Sequence, residues 1–111
     1  MNSDIYTLAS RVDQNDMYSK YPNNVTMYYN PGDINCRKYL KMYDSLAKNK
    51  TFIKFCKVDT TQVPVGNITQ VPVFHLTNSE NHKILQKINP DDLEHEINFF
   101  FLPSGRLIFN D

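Results

Sequence analysis

Between Val25 and Val58 the sequence reads strand, helix, strand, and no other feature restricts the fold as tightly. Val25 to Tyr29 is a β-branched and aromatic run, and Tyr21-Pro22-Asn23-Asn24 before it breaks any preceding helix. From Asp33 or Asn35 to about Ala47, the spacing of Leu40, Tyr43, Leu46 and Ala47 predicts one apolar helix face. Arg37, Lys38, Lys41 and Asp44 take the other face, and Asn49 supplies a stop. Phe52 to Val58 is a second strand, ended by Asp59-Thr60-Thr61. Two strands joined through a helix pair in parallel by a right-handed crossover, which places the chain in the α/β class.

The remainder can be read around that unit. From Asp4 to about Tyr18, Ile5, Leu8, Ala9 and Val12 fall at helical spacing with Ser3 or Asp4 as N-cap, so an N-terminal helix is expected. Thr61 to Val73 holds Thr-Gln-Val-Pro-Val twice, too little repetition for a stacked solenoid, and reads as a loop. Val71-Pro72 leads into the apolar strand Val73 to Leu76, where proline at the entry costs no ladder hydrogen bond. Thr77 to Asn81 is a polar turn from which Lys83 to Ile88 returns antiparallel. Asn89, Pro90, Asp91 and Asp92 then give an N-cap, a proline at the first helical position and acids in the first turn of a helix through Leu93, Ile97 and Phe100. The expectation is one domain over 1–111: an N-terminal helix in 1–22, a mixed four-stranded sheet flanked by helices in 25–97, and an aromatic tail in 98–111.

At 111 residues a single core forms without metal or disulfide support. Lys+Arg and Asp+Glu number 12 each, so nothing in the net charge argues for a grip on nucleic acid or an anionic membrane. No apolar run has the length of a membrane span and no basic-then-apolar leader is visible, which makes a cytoplasmic location the expectation. Cys36 and Cys56 then read as reduced thiols. Cys36 falls a turn beyond its strand and Cys56 roughly 10 Å before the end of the neighbouring one, too far apart for a disulfide. His75, His82 and His95 are scattered over a strand, a turn and a helix, so no metal or other cofactor is expected. Asp91, Asp92, Glu94 and Glu96 complement a helix dipole rather than form an acid–base pair. Arg37, Lys38 and Lys41 make a basic helix face, solvated or, with Tyr39 and Tyr43 interleaved, able to meet phosphate.

Tyr28-Tyr29-Asn30-Pro31-Gly32, followed by Asp33-Ile34-Asn35-Cys36 and the basic Arg37, resembles the redox loop of glutaredoxins and the wider thioredoxin superfamily, where Tyr-x-x-Pro-Gly precedes Cys-x-x-Cys. Val71-Pro72 is similar to the family's cis-proline segment, and the landmarks fall in the family's order across residues 25 to 95. The resemblance implies a thioredoxin-like fold with Val71 and Pro72 beside a groove that holds an extended peptide or glutathione. Asp33 stands where the family has its attacking cysteine, and Cys36 where it has the recessed resolving one. Lys87 to Asp92 lacks the family's glycine pair, which argues against glutathione, and the segment between Asp59 and Pro72 is too short for the family's helix. Cys56-Lys57-Val58-Asp59 before Val71-Pro72 also resembles the small thioredoxin-like proteins of large nucleocytoplasmic DNA viruses. That resemblance implies a minor capsid-associated component, located in the cytoplasm or the virion, with larger capsid or assembly proteins as partners.

Three functions are consistent with these residues. A carboxylate at Asp33 is a good N-cap but no nucleophile, and its charge disfavours a thiolate nearby, so a non-catalytic interaction or assembly module is expected. The alternative is a thiol–disulfide oxidoreductase using Cys36 alone, the one catalytic candidate. The third is a peptide-binding module using Val71 and Pro72. Phe99, Phe100, Phe101, Leu107 and Phe109 exceed what a closing helix buries on one face, and are expected either to dock a partner or to pack back as a strand.

Overall fold

The computed structural model describes residues 6–7, 17–50, 52–63, 65–66, 68 and 70–101. Its elements are β1 (Tyr6–Thr7), β2 (Asn24–Tyr29), α1 (Ile34–Asn49), β3 (Lys54–Asp59), β4 (Val73–Thr77), β5 (His82–Gln86) and α2 (Pro90–Phe100). The sheet order is β1-β3-β2-β4-β5. β2 and β3 pair in parallel with Val25 opposite Phe55, and β4 runs antiparallel to both β2 and β5, with Thr26 opposite His75 and His75 opposite Ile84. The four-stranded mixed sheet with flanking helices is therefore present, and it has the thioredoxin fold.

Two expectations need correction. Tyr6 and Thr7, placed in a helix by local spacing, instead form a fifth strand parallel to β3, with Tyr6 opposite Cys56. The outer edge of β3 offers unpaired backbone groups to whatever passes it, and that tertiary demand overrides a local apolar period. Of the same expected helix, Met17 and Tyr18 do lie in a helical turn, which runs on to Lys20 and ends as Tyr21 donates its N–H to the Met17 carbonyl at 2.8 Å; residues 8–16 lie outside the described residues. The second correction concerns Tyr39 and Tyr43, which do not interleave a basic surface but are buried under the sheet.

The alternation of β2 sends Val25, Met27 and Tyr29 to one face, where they meet Phe55, Phe74, Leu76 and Leu85. On these pack Cys36, Tyr39, Tyr43, Leu46 and Ala47 from α1 and Leu93 and Ile97 from α2. The Tyr43 hydroxyl lies 2.6 Å from the Cys56 carbonyl and 2.9 Å from that of Val25, donating its single proton between β2 and β3 and locking α1 onto both strands. On the opposite face Tyr28, Cys56, Val58 and Val73 gather with Met17, and Val63, Val65 and Ile68 cover them. The loop after β3 thus does the covering work of the missing helix.

α2 starts at Asn89 with Pro90 behind it and Asp91 and Asp92 in the first turn, although the Asn89 side chain makes no capping bond. An ion pair of Lys83 with Glu96 at 3.0 Å ties α2 to β5, and Lys50 approaches Glu94 at 3.5 Å. Both are surface pairs, worth at most about 1 kcal/mol each.

Candidate functional site

β2 hands the chain to α1 through a loop that satisfies its own polar groups. The Asn30 side chain accepts from Gly32 N–H at 2.8 Å, and the Asp33 N–H donates to the Asn30 carbonyl at 3.0 Å. A Cβ on Gly32 would sit 3.3 Å from Asn30 Oδ1, so this turn favours glycine. Asp33 is the N-cap in extended backbone (φ −90°, ψ 125°), and its Oδ1 accepts from Asn35 N–H at 2.7 Å. The Arg37 guanidinium folds back, Nε donating to the Pro31 carbonyl at 3.4 Å. These bonds hold Pro31, Gly32 and Asp33 in one rigid corner at the mouth of α1.

Cys36 lies one turn deeper and is fully buried, as is Cys56, and both are free thiols. The Cys36 sulfur accepts from Asn30 N–H at 3.4 Å. Burial pushes the Cys36 thiol up, and the negative charge of Asp33 adds to that; the Asn30 N–H opposes them without reversing the direction. Attack on a disulfide requires the thiolate, so burial and the Asp33 charge both work against the reactive form of Cys36. Cys56 is further removed, its thiol pushed up to about 12 by burial in the sheet.

Across from this corner runs Gln70-Val71-Pro72, with the Val71–Pro72 peptide cis. Between the two walls lies a groove of about 490 Å³, bounded by Asp33, Asn35 and Tyr39 on one side and by Gln70, Val71, Pro72, Gln86 and Lys87 on the other. Tyr39 fixes the floor: its ring packs 5.7 Å from that of Phe74, and its hydroxyl donates to the Ile88 carbonyl. Val71 makes no backbone hydrogen bond to any described residue, although its side chain packs on the core. Lys87, at the far end, adopts a left-handed backbone (φ 55°) as the chain leaves β5 for α2.

Of the residues singled out in the sequence, Asp33, Val71 and Pro72 line the groove together, while Pro31 and Gly32 lie in the turn before α1 and Cys36 is buried behind it. The described part of the aromatic tail does not line the groove. Phe99 is 61 % exposed, whereas Phe100 and Phe101 stack edge to face at 4.9 Å and pack against the core. Leu107 and Phe109 lie outside the described residues. Sequence reasoning missed Tyr39, Gln70, Gln86 and Lys87 as groove residues. Gln70 follows from its position beside Val71, but Gln86 and Lys87 reach the groove only through the Val73–Gln86 pairing of β4 with β5. Among the described residues no three His, Cys, Asp or Glu side chains converge as metal ligands, and no helix is long and apolar enough to cross a membrane.

No protein-family model matches the chain, and neither does any curated protein sequence. Solved structures do. Thioredoxin from Plasmodium falciparum superposes with a TM-score of 0.78 at 20 % identity, over 86 % of this chain and 99 % of that one. Fasciola hepatica thioredoxin gives 0.78 at 20 % identity over 86 % and 98 %. Thioredoxin from Trypanosoma brucei brucei gives 0.79 at 16 % identity over 90 % and 93 %. At these identities the likeness is one of fold.

Proposed function

We propose that the protein is a non-catalytic binding module of thioredoxin fold, which holds an extended polypeptide segment in the groove between Asp33 and Val71–Pro72. The observation that carries this reading is the Val71 backbone, unpaired among the described residues and standing across a groove from a loop most of whose N–H groups are bonded within the loop. An incoming extended chain gains main-chain hydrogen bonds there, as in strand addition. Two such bonds contribute at most about 3 kcal/mol net, so side-chain contacts along the groove supply the rest. Exposed Phe99 gives a second apolar surface for an assembly partner, and the sequence continues with the apolar Leu107 and Phe109. A role in building a viral particle rests on the sequence resemblance alone and is tested by co-purification with particles.

The likeness to thioredoxins favours a second reading, thiol–disulfide exchange through Cys36. In that reading the Cys36 thiolate attacks one sulfur of a substrate disulfide, the S–S bond breaks, the other sulfur leaves as a thiolate, and a small external thiol displaces Cys36 from the mixed disulfide. Burial and the Asp33 charge both oppose the first step. Insulin disulfide reduction driven by dithiothreitol separates the readings. The wild-type protein is expected to add no rate above the dithiothreitol control, and Asp33→Cys, which restores a cysteine at the helix mouth, is expected to add one. A wild-type rate abolished by Cys36→Ser would overturn the binding reading.

A further inference from the structure

We infer that the groove is bipolar and selects an extended segment carrying a basic side chain at its Asp33 end and an acidic one at its Lys87 end, about three residues apart. The inference rests on the reading of the groove as a polypeptide site and adds its specificity.

Sheet topology sets the geometry. Asp33 follows β2, Val73 opens β4, and Gln86 closes β5 with Lys87 next in the chain, and these three strands are consecutive neighbours. Strands lie about 4.8 Å apart, so the ends of β2 and β5 stand about 10 Å from each other with β4 between, and Asp33 and Lys87 line the groove beyond those ends with Val71 and Pro72. An extended chain rises about 3.3 Å per residue, so about three residues span that distance.

Both charges are available to a ligand. The ion pairs among the described residues are Lys50 with Glu94 and Lys83 with Glu96, so neither Asp33 nor Lys87 is engaged in one. Asp33 is held by one carboxylate oxygen through the Asn35 N–H, which fixes its direction. Arg37, the basic side chain next to this corner, is turned to the Pro31 carbonyl and does not line the groove. The lining between the two charges is neutral: the amides of Asn35, Gln70 and Gln86 and the Tyr39 ring. A segment with the opposite order of charges meets repulsion at both ends, and specificity arises from that penalty as much as from the attraction. Exposed pairs of this kind shift Kd by about 1.5- to 5-fold per charge.

The test uses a positional-scanning library of terminally blocked hexapeptides against the full chain, with two variants that keep the backbone intact. Asp33→Asn preserves the cap, because Asn is as good an N-cap as Asp. Lys87→Asn suits the positive φ at that position. The wild-type protein is expected to enrich a basic and an acidic residue two to four positions apart in one order. Asp33→Asn should lose only the basic preference, and Lys87→Asn only the acidic one. Binders with no charge preference, or with preferences that both variants leave unchanged, overturn this inference and leave the groove reading standing. No binding from any pool to a protein with native circular dichroism overturns both.

Discussion

The two walls of the groove are built on opposite principles. The wall from Asn30 to Cys36 is largely closed on itself: the N–H groups of Asn30, Gly32, Asp33, Asn35 and Cys36 are bonded within one loop and one helical turn, and only one Asp33 carboxylate oxygen is engaged. The wall from Gln70 to Pro72 is unsaturated among the described residues, with a Val71 backbone that bonds to none of them and lines the groove beside Gln70. A site that binds and then reacts needs one open wall and one reactive wall. In the proposed reading the open wall is kept and the reactive one is closed, so binding and chemistry come apart in a single fold.

Removing what both walls share has the largest effect. Phe74 is fully buried between Tyr39 and Tyr43, with ring centroids 5.7 and 5.8 Å away. Phe74→Ala is expected to lower stability by about 3–5 kcal/mol in urea denaturation, and ligand binding should fall with it because the Tyr39 floor loses its support. A loss below about 1 kcal/mol would mean that the walls are held independently.

pH sharpens the contrast on the closed wall. The folded-state pKa of both thiols is raised, Cys56 to about 12, so well below the unfolded thiol pKa of about 8.5 the thiols are protonated in folded and unfolded chains alike and stability is fully present. Above that the unfolded chain releases protons that the folded one retains, and Cys56 is expected to cost up to about 1.4 kcal/mol per pH unit until about pH 12. Cys56→Ala should flatten this alkaline fall; an unchanged slope contradicts the assignment. Iodoacetamide should modify Cys36 in folded Cys56→Ala protein more slowly at pH 8 than it modifies the urea-unfolded chain.

The smallest effect isolates the cap. Asp33→Ala is expected to cost about 1 kcal/mol and Asp33→Asn only a few tenths, because the side-chain acceptor, not the charge, holds Asn35 N–H. If Asn proves as costly as Ala, the charge is the stabilising element and the dipole argument replaces the hydrogen bond.

What was legible in the sequence follows the range of the interactions involved. β2, α1 and β3 are set by local period and turn chemistry, and their observed limits differ from the expected ones by a residue or two at most ends. The Asp33 cap is legible for the same reason, and the Val71-Pro72 landmark carried the second wall. Tyr6 and Thr7 were misread because β1 exists only through pairing with β3, almost fifty residues away in the chain. Tyr39 was misread because a helix presents a buried face wider than the four residues that defined it: Cys36 and Tyr39 extend that face toward the N-terminus, onto Phe74. Gln86 and Lys87 could not be found without the β4–β5 register, which depends on how the polar turn at residues 78–81 closes.

The central claim is that this groove binds an extended chain without thiol chemistry. The most direct measurement is an amide chemical-shift titration of the isotopically labelled protein with an unfolded, fully carboxymethylated polypeptide, which carries no free thiol or disulfide. The account expects saturable shifts at Val71, Tyr39 and Lys87 that persist unchanged in Cys36→Ala. No shift at these positions, together with a Cys36 mixed disulfide when the same polypeptide is offered with its disulfides intact, would contradict it.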